Sequence, residues 1–316
     1  MLIEARGLKK HFRTAGIVTR AVDGVDLSIR EGETVGLVGE SGCGKSTLGR
    51  TIILLKEPTA GQVFFKGKDI ATLSGGGMRQ LRRTMQIVFQ DPFSSLPPGM
   101  KILDIIGRPL EIHGLCTNRE DKKEKVSIIL DQVGLSPDRM YAYPHEFSGG
   151  QRTRISIARA LITSPEFVVL DEPTSALDVS VQARILNLLL DILERLNLSC
   201  LFISHDLSVV GCMCDRIAVM YLGEIVEEAS AKGLFDNPLH PYTQMLLSAL
   251  LIPDFRLKKE VPVEGEPTIL DIPAGCKFYN RCHYRGDECK EIHPLLVKVE
   301  SQHSVACHHS HSLRNQ

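Results

Sequence analysis

No run of about 18 apolar residues occurs anywhere in the 316-residue chain, so the sequence offers no segment able to cross a bilayer as a helix. Met1 to Lys10 lacks the apolar stretch of a secretory signal, and the expected compartment is the cytoplasm. The charge balance is nearly empty too: 37 Lys and Arg against 38 Asp and Glu leave a formal −1, which excludes a general attraction to nucleic acid or anionic lipid. Internal repeats of useful length are absent, and the one biased tract is the short Cys307-His308-His309-Ser310-His311. In a reducing compartment the nine cysteines are not expected to form a disulfide framework. What remains is an ordinary globular composition, 43% hydrophobic and 24% charged, in a chain long enough for one large core plus an appendage, or for two domains.

The most specific feature is Gly39-Glu40-Ser41-Gly42-Cys43-Gly44-Lys45-Ser46-Thr47, a complete G-x-x-x-x-G-K-[ST] phosphate loop. It follows a buried-strand candidate, Thr34 to Val38, and opens a helix expected over Lys45 to Leu55. Gly42 and Gly44 let backbone N–H groups curl around phosphate oxygens, and the helix N-terminus adds partial positive charge. Lys45 is expected to neutralise the β- and γ-phosphates, and the Ser46 hydroxyl to ligate Mg²⁺. The chain is therefore expected to bind a nucleoside triphosphate. Cys43, beside Lys45 and a helix N-terminus, is expected to be the most reactive thiol.

Around the loop the pattern changes along the chain. Short strand-like runs (Leu2 to Ala5, Ala21 to Arg30, Val63 to Phe65) broken by Asp23-Gly24 and Glu31-Gly32 predict a small antiparallel layer. From Lys101 to Thr163 the periodicity is helical, with Val126, Ile129, Leu130 and Val133 on one face. Strands return at Phe167 to Leu170 and Cys200 to Ile203, separated by a helix whose face is Val181, Ile185, Leu188, Leu189, Ile192 and Leu196. Such a strand, crossover helix and strand imply a parallel sheet. The first of these strands delivers Asp171 and Glu172 to the carboxyl edge of the sheet. There Asp171 can hold the Mg²⁺ shell and Glu172 can polarise an attacking water.

Phe147-Ser148-Gly149-Gly150-Gln151-Arg152 precedes another helical run, with Ser148 as its natural N-cap and the two glycines leaving the N-terminus open to an anion. A second phosphate site in a chain that already has its own loop is most economical if it reads the nucleotide of a partner subunit. On these residues the sequence resembles an ATP-binding-cassette (ABC) ATPase, whose signature is Ser-Gly-Gly-Gln. The remaining motifs follow in order: Gln90 after the strand Met85 to Phe89, Ser175-Ala176-Leu177-Asp178 beyond Glu172, and His205 after Leu201 to Ser204. The resemblance implies that Gln90 contacts Mg²⁺ or the attacking water, that His205 contacts the γ-phosphate, and that Phe12 is the aromatic platform for adenine. Two departures stand out: Thr153 where Gln is common after the signature, and the loop Ser94-Ser95-Leu96-Pro97-Pro98 after Gln90.

A narrower likeness rests on Asn237-Pro238-Leu239-His240-Pro241-Tyr242-Thr243 and on the tail Gly275 to Cys282, both similar to the ATPase subunits of oligopeptide/dipeptide importers. In the tail, Cys276, Cys282, Cys289 and Cys307 form C-x5-C-x6-C-x17-C, wider than common zinc-finger spacings. Four thiolates suit Zn²⁺ or an iron–sulfur cluster, and free thiols are the third reading. The resemblance implies a [4Fe–4S] cluster. The expected fold is an α/β P-loop ATPase core over 1–250, with a parallel sheet, an antiparallel layer and a helical subdomain at about 101–163. A linker (Ile252 to Ile272) and a Cys-rich extension fill 251–316. The resemblance implies an ATP-sandwich dimer with a copy or paralogue of the chain. It also implies two membrane permeases, an external binding protein and a place on the cytoplasmic face of the membrane. The competing reading is a soluble ABC ATPase of DNA repair or translation. It is disfavoured because the stretch from Lys45 to Ser148 is too short for the long coiled coil of the repair proteins, and because translation members carry two cassettes.

Overall fold

The computed structural model describes residues 1–14, 16–249 and 273–310, so the expected linker Ile252 to Ile272 and His311 lie outside the described residues. In chain order the strands are β1 (Ile3–Thr14), β2 (Ile17–Ile29), β3 (Thr34–Val38), β4 (Ala60–Phe65), β5 (Lys68–Asp69) and β6 (Met85–Val88). They continue as β7 (Phe167–Asp171), β8 (Ser199–Ile203), β9 (Arg216–Tyr221), β10 (Glu224–Ser230), β11 (Val297–Glu300) and β12 (His303–Val305). The chain packs as two compact units: residues 1–2, 29–33 and 68–202 in one, and residues 3–28, 34–67 and the described residues from Ile203 onward in the other.

In the first unit the strand order is β8-β7-β6, with β7 parallel to β6 and Phe167 opposite Met85. Every residue of β7 and β8 is buried, as expected of strands that read as continuous apolar runs and are covered on both faces. Between them runs the helix Val179–Leu196, which ends at Asn197 in the left-handed region, φ 46°. Its buried face is Ile185, Leu189, Ile192 and Leu193. Leu196, expected on that face, is 47% exposed, because the i+4 step from Leu189 already closes the stripe at Leu193. The helical stretch consists of Ile102–His113, Arg119–Gln132 and Gly149–Leu161. Val126, Ile129, Leu130 and Val133 are buried as their spacing predicts. Asn118 caps the second of these helices by accepting from the Asp121 N–H. Lys122 ties it to the first through Asp104 (3.0 Å) and Glu111 (2.7 Å).

In the second unit the order is β11-β12-β10-β9-β3, with β3 parallel to β9 and β10 antiparallel to both β9 and β12. The expected antiparallel layer is present as β2-β1-β4, with Ile3 opposite Phe65. The helix after the phosphate loop is shorter than its sequence suggests. It spans Lys45–Ile52, and Leu54 at φ 53° turns the chain out before Leu55.

The tail belongs to this unit. Glu227 on β10 has no exposed surface; its Oε1 accepts from the Leu239 N–H and from His303 Nε2, both at 2.7 Å, and its Oε2 from the His240 N–H at 3.0 Å. Three donors offset the cost of burying the carboxylate. His240 is buried beside it, and its Nδ1 accepts from the Tyr242 N–H at 3.0 Å. Burial holds the His240 imidazole down at about 4, against the opposing pull of Glu227. The unfolded imidazole titrates at about 6.5, so the folded chain resists a proton that the unfolded chain takes up. This contribution to stability is fully present above about pH 6.5 and is lost as the pH falls toward about 4, with a slope of up to about 1.4 kcal/mol per pH unit. Denaturant unfolding at several pH values should show that slope in the wild type. His240→Asn, which keeps an acceptor without a titrating ring, should flatten it.

Candidate functional site

The phosphate loop is assembled entirely within the second unit. β3 is buried along its whole length and leads into Gly39, at φ 153°, where an added Cβ would meet the Met220 carbonyl oxygen at 2.2 Å. Gly44, at φ 112°, is closed to any side chain because a Cβ there would lie 1.9 Å from the Ala21 carbonyl oxygen. These two glycines are thus required by close backbone approach as well as by the turn. Lys45 is 4% exposed, and its Nζ donates to the carbonyls of Gly39 (2.7 Å) and Glu40 (2.9 Å). The ammonium is held inside the curl of its own loop. Thr51 Oγ1 donates to the Thr47 carbonyl at 2.7 Å, and Gly223 N–H donates to the Cys43 carbonyl at 2.9 Å, which fixes the loop against the turn between β9 and β10.

Cys43 departs from expectation. It is 5% exposed, with Lys45 Nζ 3.8 Å from its sulfur, and burial pushes its thiol up despite that ammonium. Desolvation of the thiolate outweighs the charge and the helix N-terminus. Phe12 is half-buried rather than part of the core, with the ammonium groups of Lys56 and Lys10 at 4.6 and 5.3 Å from its ring centroid. That leaves an aromatic surface in a cationic setting. His205 is exposed just after β8, while the following Asp206 caps the helix Leu207–Met213.

The first unit gathers a second set. Asp171 ends β7 with no exposed surface, and Glu172 follows at φ 47°, a conformation that costs a non-glycine residue energy. The Glu172 carbonyl accepts from the backbone N–H and the hydroxyl of Ser175, at 3.3 and 3.1 Å. Gln90 Nε2 donates to Glu172 Oε2 at 3.0 Å, so two residues 82 positions apart meet side chain to side chain. The loop after Gln90 is tied down as well: Arg159 Nη1 donates to the Ser95 carbonyl at 2.5 Å.

Ser148 caps the helix Gly149–Leu161 reciprocally: its Oγ accepts from the Gln151 N–H at 3.4 Å, and its own N–H donates to Gln151 Oε1 at 3.0 Å. Gln151 is therefore engaged in holding Ser148 in place. Gly149 and Gly150 also answer a packing demand, since Cβ atoms there would lie 3.3 Å from Leu177 and 2.5 Å from Val181. Thr153 is fully buried and donates to the Gly149 carbonyl at 3.2 Å.

In the tail all four cysteines are free. Burial pushes the Cys276 thiol up to about 11 and the Cys307 thiol to about 12. The neighbouring thiols, Cys282 and Cys289 at both and Cys276 also at Cys307, raise them further. Cys289 Sγ lies 3.4 Å from His309 Nε2. Among the described residues, however, no group of three or more His, Cys, Asp or Glu side chains is arranged to hold a metal ion. No described helix is long and apolar enough to cross a membrane.

Glu40, Tyr242 and Arg281 meet beside the loop, a grouping that local spacing does not foretell. The Glu40 N–H donates to the Tyr242 hydroxyl at 2.8 Å, and its carboxylate takes both ends of the Arg281 guanidinium at 2.8 and 2.9 Å. Tyr242 lies in the Asn237 to Thr243 motif and Arg281 between Cys276 and Cys282, so both stand in the segments that carry the importer likeness, but their meeting at Glu40 is not written in either segment.

Comparison with known proteins gives two family matches: ABC transporter over residues 22–175, and oligopeptide/dipeptide transporter, C-terminal region, over residues 226–289. A putative peptide import ATP-binding protein of Brucella ovis is 50% identical over 308 residues, covering 97% of both chains. An oligopeptide transport ATP-binding protein of Bacillus subtilis is 49% identical, again covering 97% of both. Among solved structures, an ATP-binding cassette captured as a dimer after hydrolysis, with ADP and Pi, superposes with a TM-score of 0.66 at 29% identity. That match covers 72% of this chain and 98% of the other.

The buried loop thiol yields a reversal of the sequence expectation. With an alkylating reagent and peptide mapping, Cys43 should be modified at least about tenfold more slowly than the exposed Cys212. Labelling of Cys43 ahead of Cys212 would contradict its burial.

Proposed function

This chain belongs to the ABC transporter family and carries the C-terminal region of the oligopeptide/dipeptide transporters, and from that membership we propose that it is the ATP-hydrolysing subunit of a peptide importer. The observation that carries the proposal is the Gln90 to Glu172 hydrogen bond, which brings together two side chains that this reading assigns to the attacking water. The relatives' printed names, peptide import and oligopeptide transport, support peptides as the cargo class. The soluble repair or translation reading has no comparable support.

In this reading Lys45 and the N–H groups of residues 41–47 hold the β- and γ-phosphates, and Phe12 stacks on adenine. Ser46, Asp171 and Gln90 are the ligands for Mg²⁺, which supplies charge neutralisation at the phosphates. Glu172 takes the proton of the attacking water, and His205 contacts the γ-phosphate. Ser148, Gly149, Gly150 and Gln151 address the nucleotide of a second ATPase subunit, a copy or a paralogue, as the dimeric cassette among the structural matches suggests. Residues 1–250 form the nucleotide-binding domain and 251–316 its extension. The assembly is completed by two permeases and an external binding protein, with this subunit held peripherally at the cytoplasmic face of the membrane.

For the tail we propose a [4Fe–4S] cluster on Cys276, Cys282, Cys289 and Cys307, with Zn²⁺ as the alternative. The proximity of the four free thiols supports it, although the described side chains do not converge on a metal position. When bound, the group would cross-link the tail.

Two outcomes follow. Glu172→Gln should keep ATP affinity within a few-fold while lowering the hydrolysis rate of the assembled transporter at least about a hundredfold. Near wild-type turnover would remove Glu172 as the base. Anaerobically purified protein should contain about four irons per chain, lost in Cys282→Ser. Zinc without iron would make the tail a structural zinc site, and neither metal would leave free thiols.

A further inference from the structure

The phosphate loop is held by the tail directly at one point and through the turn between β9 and β10 at another. At its leading end Arg281 pairs with Glu40 through two hydrogen bonds, at 2.8 and 2.9 Å, across 241 residues of sequence. At its far side Lys277 Nζ donates to the Leu222 carbonyl and pairs with Glu224, both at 2.9 Å. The next residue, Gly223, donates to the Cys43 carbonyl of the loop. Both cations lie in the short segment between Cys276 and Cys282. The sequence distance of the tail from Lys45 therefore gives no indication of how closely the two are joined.

The Arg281 grip is a built contact rather than a surface ion pair. The Arg281 side chain is 6% exposed and that of Glu40 27%. Phe278 packs edge-on against Tyr221, with ring centroids 5.3 Å apart, and both rings contact Tyr242, at 5.5 Å for Phe278 and 4.6 Å for Tyr221. The guanidinium carbon sits 5.7 Å from the Phe278 centroid and 5.9 Å from that of Tyr221. Tyr242 reaches past this cluster to take the Glu40 N–H, so Glu40 is fixed at both its backbone and its carboxylate. Its remaining backbone group, the carbonyl, is one of the two that hold Lys45 Nζ. Arg281 Nε is buried without a hydrogen-bond partner, so the guanidinium depends on Glu40 for much of its compensation. Removing one member of such a pair costs far more than an exposed ion pair is worth.

We propose that Arg281 is a positioning residue for the phosphate loop: by clamping Glu40 from the tail, it holds the carbonyl on which Lys45 rests and so sets the affinity of the loop for ATP. The inference rests on the reading of this loop as the ATP site. It makes the fold of the cysteine-bearing tail a determinant of nucleotide binding, through a residue that acts on the loop by way of Glu40.

The test uses the full chain, with MgATP binding measured by equilibrium dialysis and KM and kcat measured in the assembled transporter. Arg281→Ala should raise Kd and KM for MgATP about tenfold while changing kcat less than about twofold. Arg281→Lys should recover part of the loss. Glu40→Gln, at the partly exposed end of the pair, should weaken binding in the same direction and serves if Arg281→Ala does not fold. The double variant Glu40→Gln with Arg281→Ala should bind no worse than the weaker single variant, because both break one interaction. Unchanged affinity in Glu40→Gln and Arg281→Lys, or an equal fall in kcat with KM constant, would overturn the proposal. Lys45→Ala separates the two levels. If it too binds ATP normally, the ATP-site reading fails; if it alone loses ATP, only the role of Arg281 does.

Discussion

A buried carboxylate organises the second unit. Glu227 has no exposed surface and collects three donors from two places: the N–H groups of the turn at Leu239 and His240, and His303 on β12. Stripped of any one donor, it would be a charge in a low-dielectric interior with an unmet lone pair, at a cost of several kcal/mol. It therefore dictates that β10, the His-Pro-Tyr turn and the end of the chain come together. Once they do, Tyr242 and Arg281 are delivered to Glu40. The geometry of the phosphate loop is in this sense the end of a chain of satisfied polar groups that starts about 190 residues downstream, at position 227.

Sequence and structure agree best where chemistry is written in contiguous residues. The phosphate loop, Asp171 and Glu172, and the Ser148 cap depend on local spacing and on the strand or helix that carries them, and each is found on the expected element. Gln90 was legible only through the family resemblance, because nothing near it in sequence foretells a partner at position 172. Arg281 was illegible for the same reason, although it lies in the tail segment that carries the importer likeness. Its partner is 241 residues away, and the contact is made by tertiary packing of three aromatic rings.

The misreadings have physical causes of their own. Cys43 has the neighbours that lower a thiol pKa, but sequence does not reveal that the loop closes over it, and desolvation opposes and exceeds those local charges. The helix face expected to reach Leu196 closes instead at Leu193, one i+4 step from Leu189. At the signature glycines a packing demand stands beside the expected openness to an anion. Gly150 is also required by Val181, so the signature and the helix that follows Asp178 are bound by contact as tightly as by function.

The pairing of β12 with β10 has a consequence for solubility. Without it, β10 would present a free row of N–H and C=O groups along a strand carrying Ile225, Val226 and Ala229, a template for another copy of the same strand. The tail instead moves the sheet boundary to β11, which is short, carries Lys298 and Glu300, and is broken by a register shift between them. Charges and an irregular ladder are poor templates for strand addition. A chain shortened to its nucleotide-binding core would expose the better template, and self-association of such a fragment would report on a missing edge guard rather than on the behaviour of the intact subunit.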